Sequence, residues 1–246
     1  MKPTTFNQLQ TTFKQDTKLY AYCLESLDFA GDEVDKSSLT AFNGLTSIPI
    51  YKPETDEEEK INRALTNFIE STEHLPNTGY GNADNVFLTD PLNYPLAKKL
   101  IEIGEDISGI KYDNPNYKYI VQIAKDCPTR AAHIDPSILS ILLSVNGNTT
   151  ETLSVQDSKN IITELKNQGV TEFKHINNDS LLCDLHLYNI TSIPRGNVGI
   201  WTGYEHETKG IFHSSPSNCA SYGNSLEESR KFIAVMLYRD TKATKV

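Results

Sequence analysis

The chain has 246 residues, 38% of them hydrophobic, and 32 acidic against 23 basic side chains give it a net charge of −9. That length and apolar content suit one compact domain and exclude disorder throughout, and the acidic balance argues against a broad phosphate-neutralising surface, so nucleic acid is not an expected partner. The first residues, "MKPTTFNQLQTTFKQDTKLYAYC", lack the apolar core of a secretion signal, and no later stretch approaches the roughly 18 to 20 apolar residues of a membrane span; a soluble, cytoplasmic protein without membrane contact is expected.

In chain order, "TDEEEKINRALTNFIESTEHL" predicts a helix. Thr55 and Glu58 have capping-box spacing, and Ile61, Leu65, Phe68 and Ile69 recur at helical intervals. "GYGNADN" at residues 79 to 85 lacks the lysine of a phosphate loop and reads as a surface loop. "DPLNYPLAKKLIEIGEDISG" predicts a second helix with a stripe of Leu96, Leu100, Ile103 and Ile107, a stop at Gly109, and Lys98 and Lys99 on a solvated face. After about residue 115 the texture changes. "YKYIVQIAK", "ILSILLSV", "LLCDLHLYNI", "NVGIWTGY", "GIFHSS" and "KFIAVMLYR" are short, rich in β-branched and aromatic residues, and separated by turn residues, as antiparallel strands are. "QDSKNIITELKNQG" interrupts them with a helical face of Ile161, Ile162 and Leu165, ended by Gly169. Helices followed by six or more short strands predict an α+β chain whose β part closes on itself as a jelly roll to avoid bare edges. Its expected parts are a mostly helical region, 1–115, packed on a core, 116–246, in one compact domain.

Chemistry concentrates in "RAAHIDPSILSILL". Strand residues i and i+2 share a face, so His133 and Asp135 aim an imidazole and a carboxylate at one point, where a metal ion is the natural occupant. H-x-D arises by chance often enough that alone it decides little. A third ligand is available in His213, which closes the apolar "GIFH", and two histidines with one carboxylate leave an iron(II) ion three open positions. Arg230 opens the strand that follows; on it Arg230, Phe232, Ala234, Met236 and Tyr238 share one face and Lys231 and Arg239 the other. A guanidinium fork binds carboxylates through paired hydrogen bonds, which suits the far end of a dicarboxylate.

The order H-x-D, strand ending in His, then Arg resembles that of the iron(II)- and 2-oxoglutarate-dependent oxygenases, which fold as a double-stranded β-helix. The likeness covers roughly residues 118 to 240. More narrowly, "DCPTRAAHID", "NGNTTETL", "GNVGIWTG" and "GIFHSSP" look like the pattern of an uncharacterised bacterial cupin-like family. The resemblance implies a jelly-roll core with N-terminal helices packed on it, iron(II) held by His133, Asp135 and His213, and 2-oxoglutarate anchored by Arg230 with Ser215 nearby. It implies a non-haem iron dioxygenase, an oxidoreductase acting on a small-molecule or peptide substrate. Two departures are visible. The loop "SSPSNCASYGNSLEES" before Arg230 is longer than the usual connection and reads as an insertion, and Ser214 stands where the narrower family has a basic residue.

Thr150, Thr152 and Ser215 are candidates to support the ligands by hydrogen bonds. Trp201 lies between Gly199 and Gly203, where missing side chains could admit a ligand, or is a core aromatic. His206 reads as a surface residue. His74 and His175 have no chemical partner in sight. Cys183 and His186 have a spacing zinc can use but no second pair, and Cys23, Cys127 and Cys219 are scattered, so neither a zinc knuckle nor a disulfide framework is expected. A metal-binding cupin-like protein without 2-oxoglutarate chemistry, or a non-catalytic interaction protein, are the alternatives. The N-terminal helices would cover the barrel, bind a partner or form a homodimer contact.

Overall fold

The computed structural model describes residues 44–49, 85–125, 132–146, 150–170, 188, 190–194, 196–203, 210–214 and 231–240. The predicted helix after Thr55 and all four cysteines lie outside these residues.

The first described strands are β1 (Leu45–Pro49) and β2 (Asn85–Phe87). A 3-10 turn (Pro91–Asn93) leads into helix α1 (Pro95–Ser108). Leu96, Ala97, Leu100 and Ile101 of α1 are fully buried, with Ile103 and Ile107 packed partly against the same core, so the predicted stripe is the buried face. Lys98 and Lys99 stay exposed beside Glu102. The helix ends at Gly109, whose φ of 70° is the left-handed conformation that glycine adopts without penalty.

The remaining elements are β3 (Tyr117–Lys125), β4 (Leu139–Asn146), β5 (Glu151–Leu153), α2 (Val155–Asn167), β6 (Ile190–Ser192), β7 (Asn197–Thr202), β8 (His213–Ser214) and β9 (Lys231–Arg239). They form two antiparallel sheets. The larger has the order β1-β7-β4-β9-β3-β2 and the smaller the order β6-β5-β8. The sequence reading missed β5, which is only three residues long. It also missed β1 and β2, which the expected helical region contributes to the two edges of the large sheet. "GIFHSS" yields only a two-residue strand, because Ile211 and Phe212 bond individually to different elements instead of joining one ladder.

The large sheet is buried on both faces at its centre, so β4 and β9 read as nearly continuous apolar runs. One face carries Tyr119, Val121, Ile123, Leu139, Ile141, Leu143, Ile233, Val235 and Leu237 and packs on α1. The other carries Leu142, Trp201, Phe232 and Ala234, which meet Ile193 and Ile211 from the direction of the small sheet. On the far side of the small sheet, α2 buries Ile161, Ile162 and Leu165 against Leu153, Phe212, Ala132 and Ile134. Each buried aliphatic or aromatic side chain contributes roughly 1.5–3 kcal/mol. Ser154 caps α2, its hydroxyl accepting from the Asp157 amide at 3.0 Å. The layers therefore run α1, large sheet, small sheet, α2. No helix among the described residues is long and apolar enough to cross a membrane.

Candidate metal centre

Residues 132 to 135 lie against β8 at the rim of the small sheet. His133 and His213 form an isolated antiparallel bridge, each amide donating to the other's carbonyl at 2.9 Å. Alternation then sends Ala132 and Ile134 to the α2 side and His133 and Asp135 to the space between the sheets, as the i, i+2 spacing predicts.

His213 is placed by its neighbours. The Ile211 amide donates to the Thr202 carbonyl at 3.0 Å, the Phe212 amide to the Ser158 hydroxyl at 3.1 Å, and the Leu153 amide to the Phe212 carbonyl at 2.8 Å. Three bonds thus strap Ile211 and Phe212 to β7, α2 and β5, with Phe212 fully buried as the plug.

The side chains converge. His133 Nε2 lies 3.5 Å from Asp135 Oδ1, His213 Nε2 lies 3.4 Å from Asp135 Oδ2, and the three donor atoms all fall within 4.8 Å of one another. Ligands at about 2.0–2.2 Å from one ion stand about 3.0–3.5 Å apart, so this spacing fits a shared cation. The imidazole centroids are 4.3 Å apart. Side-chain exposure rises from 7% at His213 through 17% at Asp135 to 27% at His133, so the cluster opens to solvent on the His133 side.

Hydrogen bonds outside the cluster fix its orientation. His213 Nδ1 lies 3.2 Å from the Ile211 carbonyl; with Nδ1 protonated it donates there and aims Nε2 at Asp135 Oδ2. Ser140, on β4, donates to Asp135 Oδ2 at 2.6 Å and lies 2.9 Å from the Ser137 hydroxyl. The Trp201 indole N–H donates to the same oxygen at 3.3 Å, and its ring centroid is 4.7 Å from that of His213. Burial alone would raise the Asp135 carboxyl, but the His213 imidazole and the hydrogen bonds of both histidines hold it well below the usual carboxylate range. A carboxylate kept ionised beside two imidazoles is a ready cation ligand, and the fit to a divalent metal rests on that donor set.

Ser140 is a supporting residue that sequence reasoning missed; Trp201, which it read either as lying where a ligand could approach or as a core aromatic, is the other. Thr152 does not have the supporting role expected of it: it stands opposite His213 on β5, but its hydroxyl donates to the Thr191 carbonyl at 3.1 Å. Thr150 is buried, and its carbonyl accepts from Ile193. The glycines beside Trp201 admit the chain's own atoms and no ligand. A Cβ at Gly199 would collide with the Ile193 side chain, and one at Gly203 would collide with Ser137 and lie 2.7 Å from the Asp135 carbonyl. Gly203 thereby lets the 135–137 turn dock on the end of β7. Arg230, Ser215, His206, His186, His175 and His74 lie outside the described residues. On β9, Phe232 and Ala234 do face the Trp201 side.

None of the known protein-family models matches the chain, and no curated protein is similar to it in sequence. Several solved structures are remotely similar to it. The non-haem α-ketoglutarate-dependent carbocyclase SnoK from nogalamycin biosynthesis is 11% identical, with a TM-score of 0.47 over 84% of this chain and 85% of that one. A prolyl-4-hydroxylase from Pseudomonas putida is 8% identical, with a TM-score of 0.44 over 83% of this chain and 100% of that one. HygX from Streptomyces hygroscopicus, crystallised with nickel and 2-oxoglutarate, is 8% identical, with a TM-score of 0.43 over 85% and 87%.

Proposed function

We propose that the protein is an iron(II)- and 2-oxoglutarate-dependent oxygenase, its two sheets being the halves of a double-stranded β-helix. The observation that carries the reading is the convergence of His133, Asp135 and His213, two neutral nitrogens and one carboxylate, between those sheets. That donor set suits iron(II) and leaves positions free for a chelating keto acid and oxygen. In this reading Asp135 supplies the anionic ligand and is kept from rotating by Ser140 and Trp201. His213 offers Nε2 because Ile211 engages its other nitrogen, and His133 forms the solvent-facing side. When bound, the iron and keto acid together supply oxygen activation by oxidative decarboxylation, and the protein supplies position and partial exclusion of water.

Arg230 and Ser215 are proposed to bind the cosubstrate. The even-numbered residues of β9 support this for Arg230, since Phe232 and Ala234 lie on the inner face. The substrate is proposed to be a small molecule or peptide reaching the iron from the His133 side.

Anaerobic addition of iron(II) and then 2-oxoglutarate to purified protein tests the proposal. A weak visible charge-transfer band, abolished in His213→Ala, is expected. Iron retention without a response to 2-oxoglutarate would leave a metal-binding cupin-like protein, and no iron retention would leave an interaction protein.

A further inference from the structure

The register of the large sheet arranges its inner-face residues in rows. Leu45, Trp201, Ser140, Met236 and Ile120 stand side by side on β1, β7, β4, β9 and β3. Trp201 and Ser140, in the middle of this row, both donate to Asp135, so the metal cluster lies over it. The two halves of the face differ. Towards β7, Trp201 and Leu142 are buried beneath Ile193 and Ile211. Towards β2, Met236, Tyr238, Ile120, Gln122 and Phe87 lie on the same inner face but remain half-exposed. Half of the sheet is therefore roofed, and the other half is accessible beside the metal cluster.

Two features of the accessible half specify a ligand. Next to Ser140 it is apolar: Met236 is one strand away and Ile120 two, roughly 5 and 10 Å across the sheet. The Tyr238 hydroxyl turns back along β9 and donates to Met236 Sδ at 3.3 Å. One row farther out, roughly 7 Å along the strands, Lys118 stands opposite Tyr238. Lys118 is exposed, forms no ion pair among the described residues, and is the one charged side chain among the described residues of this face of the sheet. In a chain of net charge −9 an anion is repelled by most of the surface and met at this ammonium. The Lys118 row also lies at the end of β9 opposite Arg230, so a molecule here does not compete with the cosubstrate assigned to that arginine.

We propose that this half of the sheet binds the substrate and that the substrate is a free aliphatic carboxylic acid, its chain across Met236 and Ile120 and its carboxylate on Lys118. The alkyl part then faces the metal cluster and the acid points away from it. The fate of that alkyl part rests on the oxygenase reading of the site; the binding itself needs no metal.

Calorimetry of the metal-free protein with butyrate, hexanoate, octanoate and octanamide tests this. Affinity should rise by up to about four-fold per added methylene. Octanoate should bind about three- to five-fold tighter than octanamide at low salt, and the preference should vanish at high salt and in Lys118→Gln. Ile120→Asn should weaken both ligands alike. In the iron- and 2-oxoglutarate-loaded protein, octanoate should shift the visible band. No binding of octanoate, equal binding of octanoate and octanamide by wild type, a preference that survives Lys118→Gln, or binding indifferent to Ile120→Asn each overturns the proposal. So does octanoate that binds without shifting a band already formed by 2-oxoglutarate, because it then lies elsewhere. Should Ile120→Asn not fold, Lys118→Gln, at an exposed position, decides alone. Wild-type protein that gives no band with 2-oxoglutarate refutes the oxygenase reading instead, and the calorimetric comparison still decides the ligand.

Discussion

On the α1 side of the six-stranded sheet, β3, β4, β7 and β9 present a layer of aliphatic and aromatic side chains that Leu96, Leu100 and Ile101 seal. On the other side, β4 alone presents Ser140, Leu142 and Ser144, and β7 presents Trp201 with its indole nitrogen on Asp135. The same strands thus have one face that is apolar but for the Tyr119 hydroxyl, which donates to the Ile110 carbonyl, and one on which Ser140 and Trp201 hold specific polar partners. The contrast teaches where tolerance lies. The α1 face accepts any substitution that conserves volume, whereas the inner face is constrained atom by atom at Ser140, Trp201 and Gly203.

Four changes separate the two faces, in falling order of effect. His213→Ala should reduce iron retention by orders of magnitude in metal analysis of the purified protein, while the unfolding midpoint moves little; undiminished iron content would dissolve the distinction. Leu100→Ala, on the opposite side, should lose about 2–5 kcal/mol in denaturant titrations and leave iron affinity as it was. Ser140→Ala should weaken iron binding by about 10–100-fold, because Asp135 Oδ2 then loses its shortest hydrogen bond and keeps the longer Trp201 and His213 contacts, and competition with a calibrated chelator measures it. The smallest effect concerns acid. The folded Asp135 carboxyl is held below its unfolded value, so its contribution to stability is complete above that unfolded value, near pH 4, and is lost as the pH falls through the lower folded value. Metal-free Asp135→Asn should therefore show a shallower acid limb than wild type in melts between about pH 5 and pH 2. An identical limb would mean that the histidines do not stabilise the carboxylate.

Much of this was legible in the residues. The β-branched and aromatic content of "YKYIVQIAK" gave β3, the helical stripe after Pro95 gave α1 with its buried face, and the spacing of His133 and Asp135 predicted a shared direction. What escaped depends on contacts between distant segments. β1 pairs with β7 across some 150 positions, Leu45 standing opposite Trp201, and nothing local to "LTSIP" announces that. Ser140 reads as an interruption in an apolar strand, and its role exists only because the 135–137 turn folds back over it. Gly199 and Gly203 were expected to admit a ligand, and the groups that approach them are Ile193 and Ser137, which no local pattern announces.

The backbone bridge between His133 and His213 has a further consequence. Because the two imidazoles are carried by residues already hydrogen-bonded to each other, the separation of their main chains is set by peptide geometry and not by the ion. Loading such a site demands little ordering of the chain, so uptake should be limited by stripping water from the cation and not by refolding of a loop. Selection among divalent ions then follows from which radius suits a jaw of fixed width.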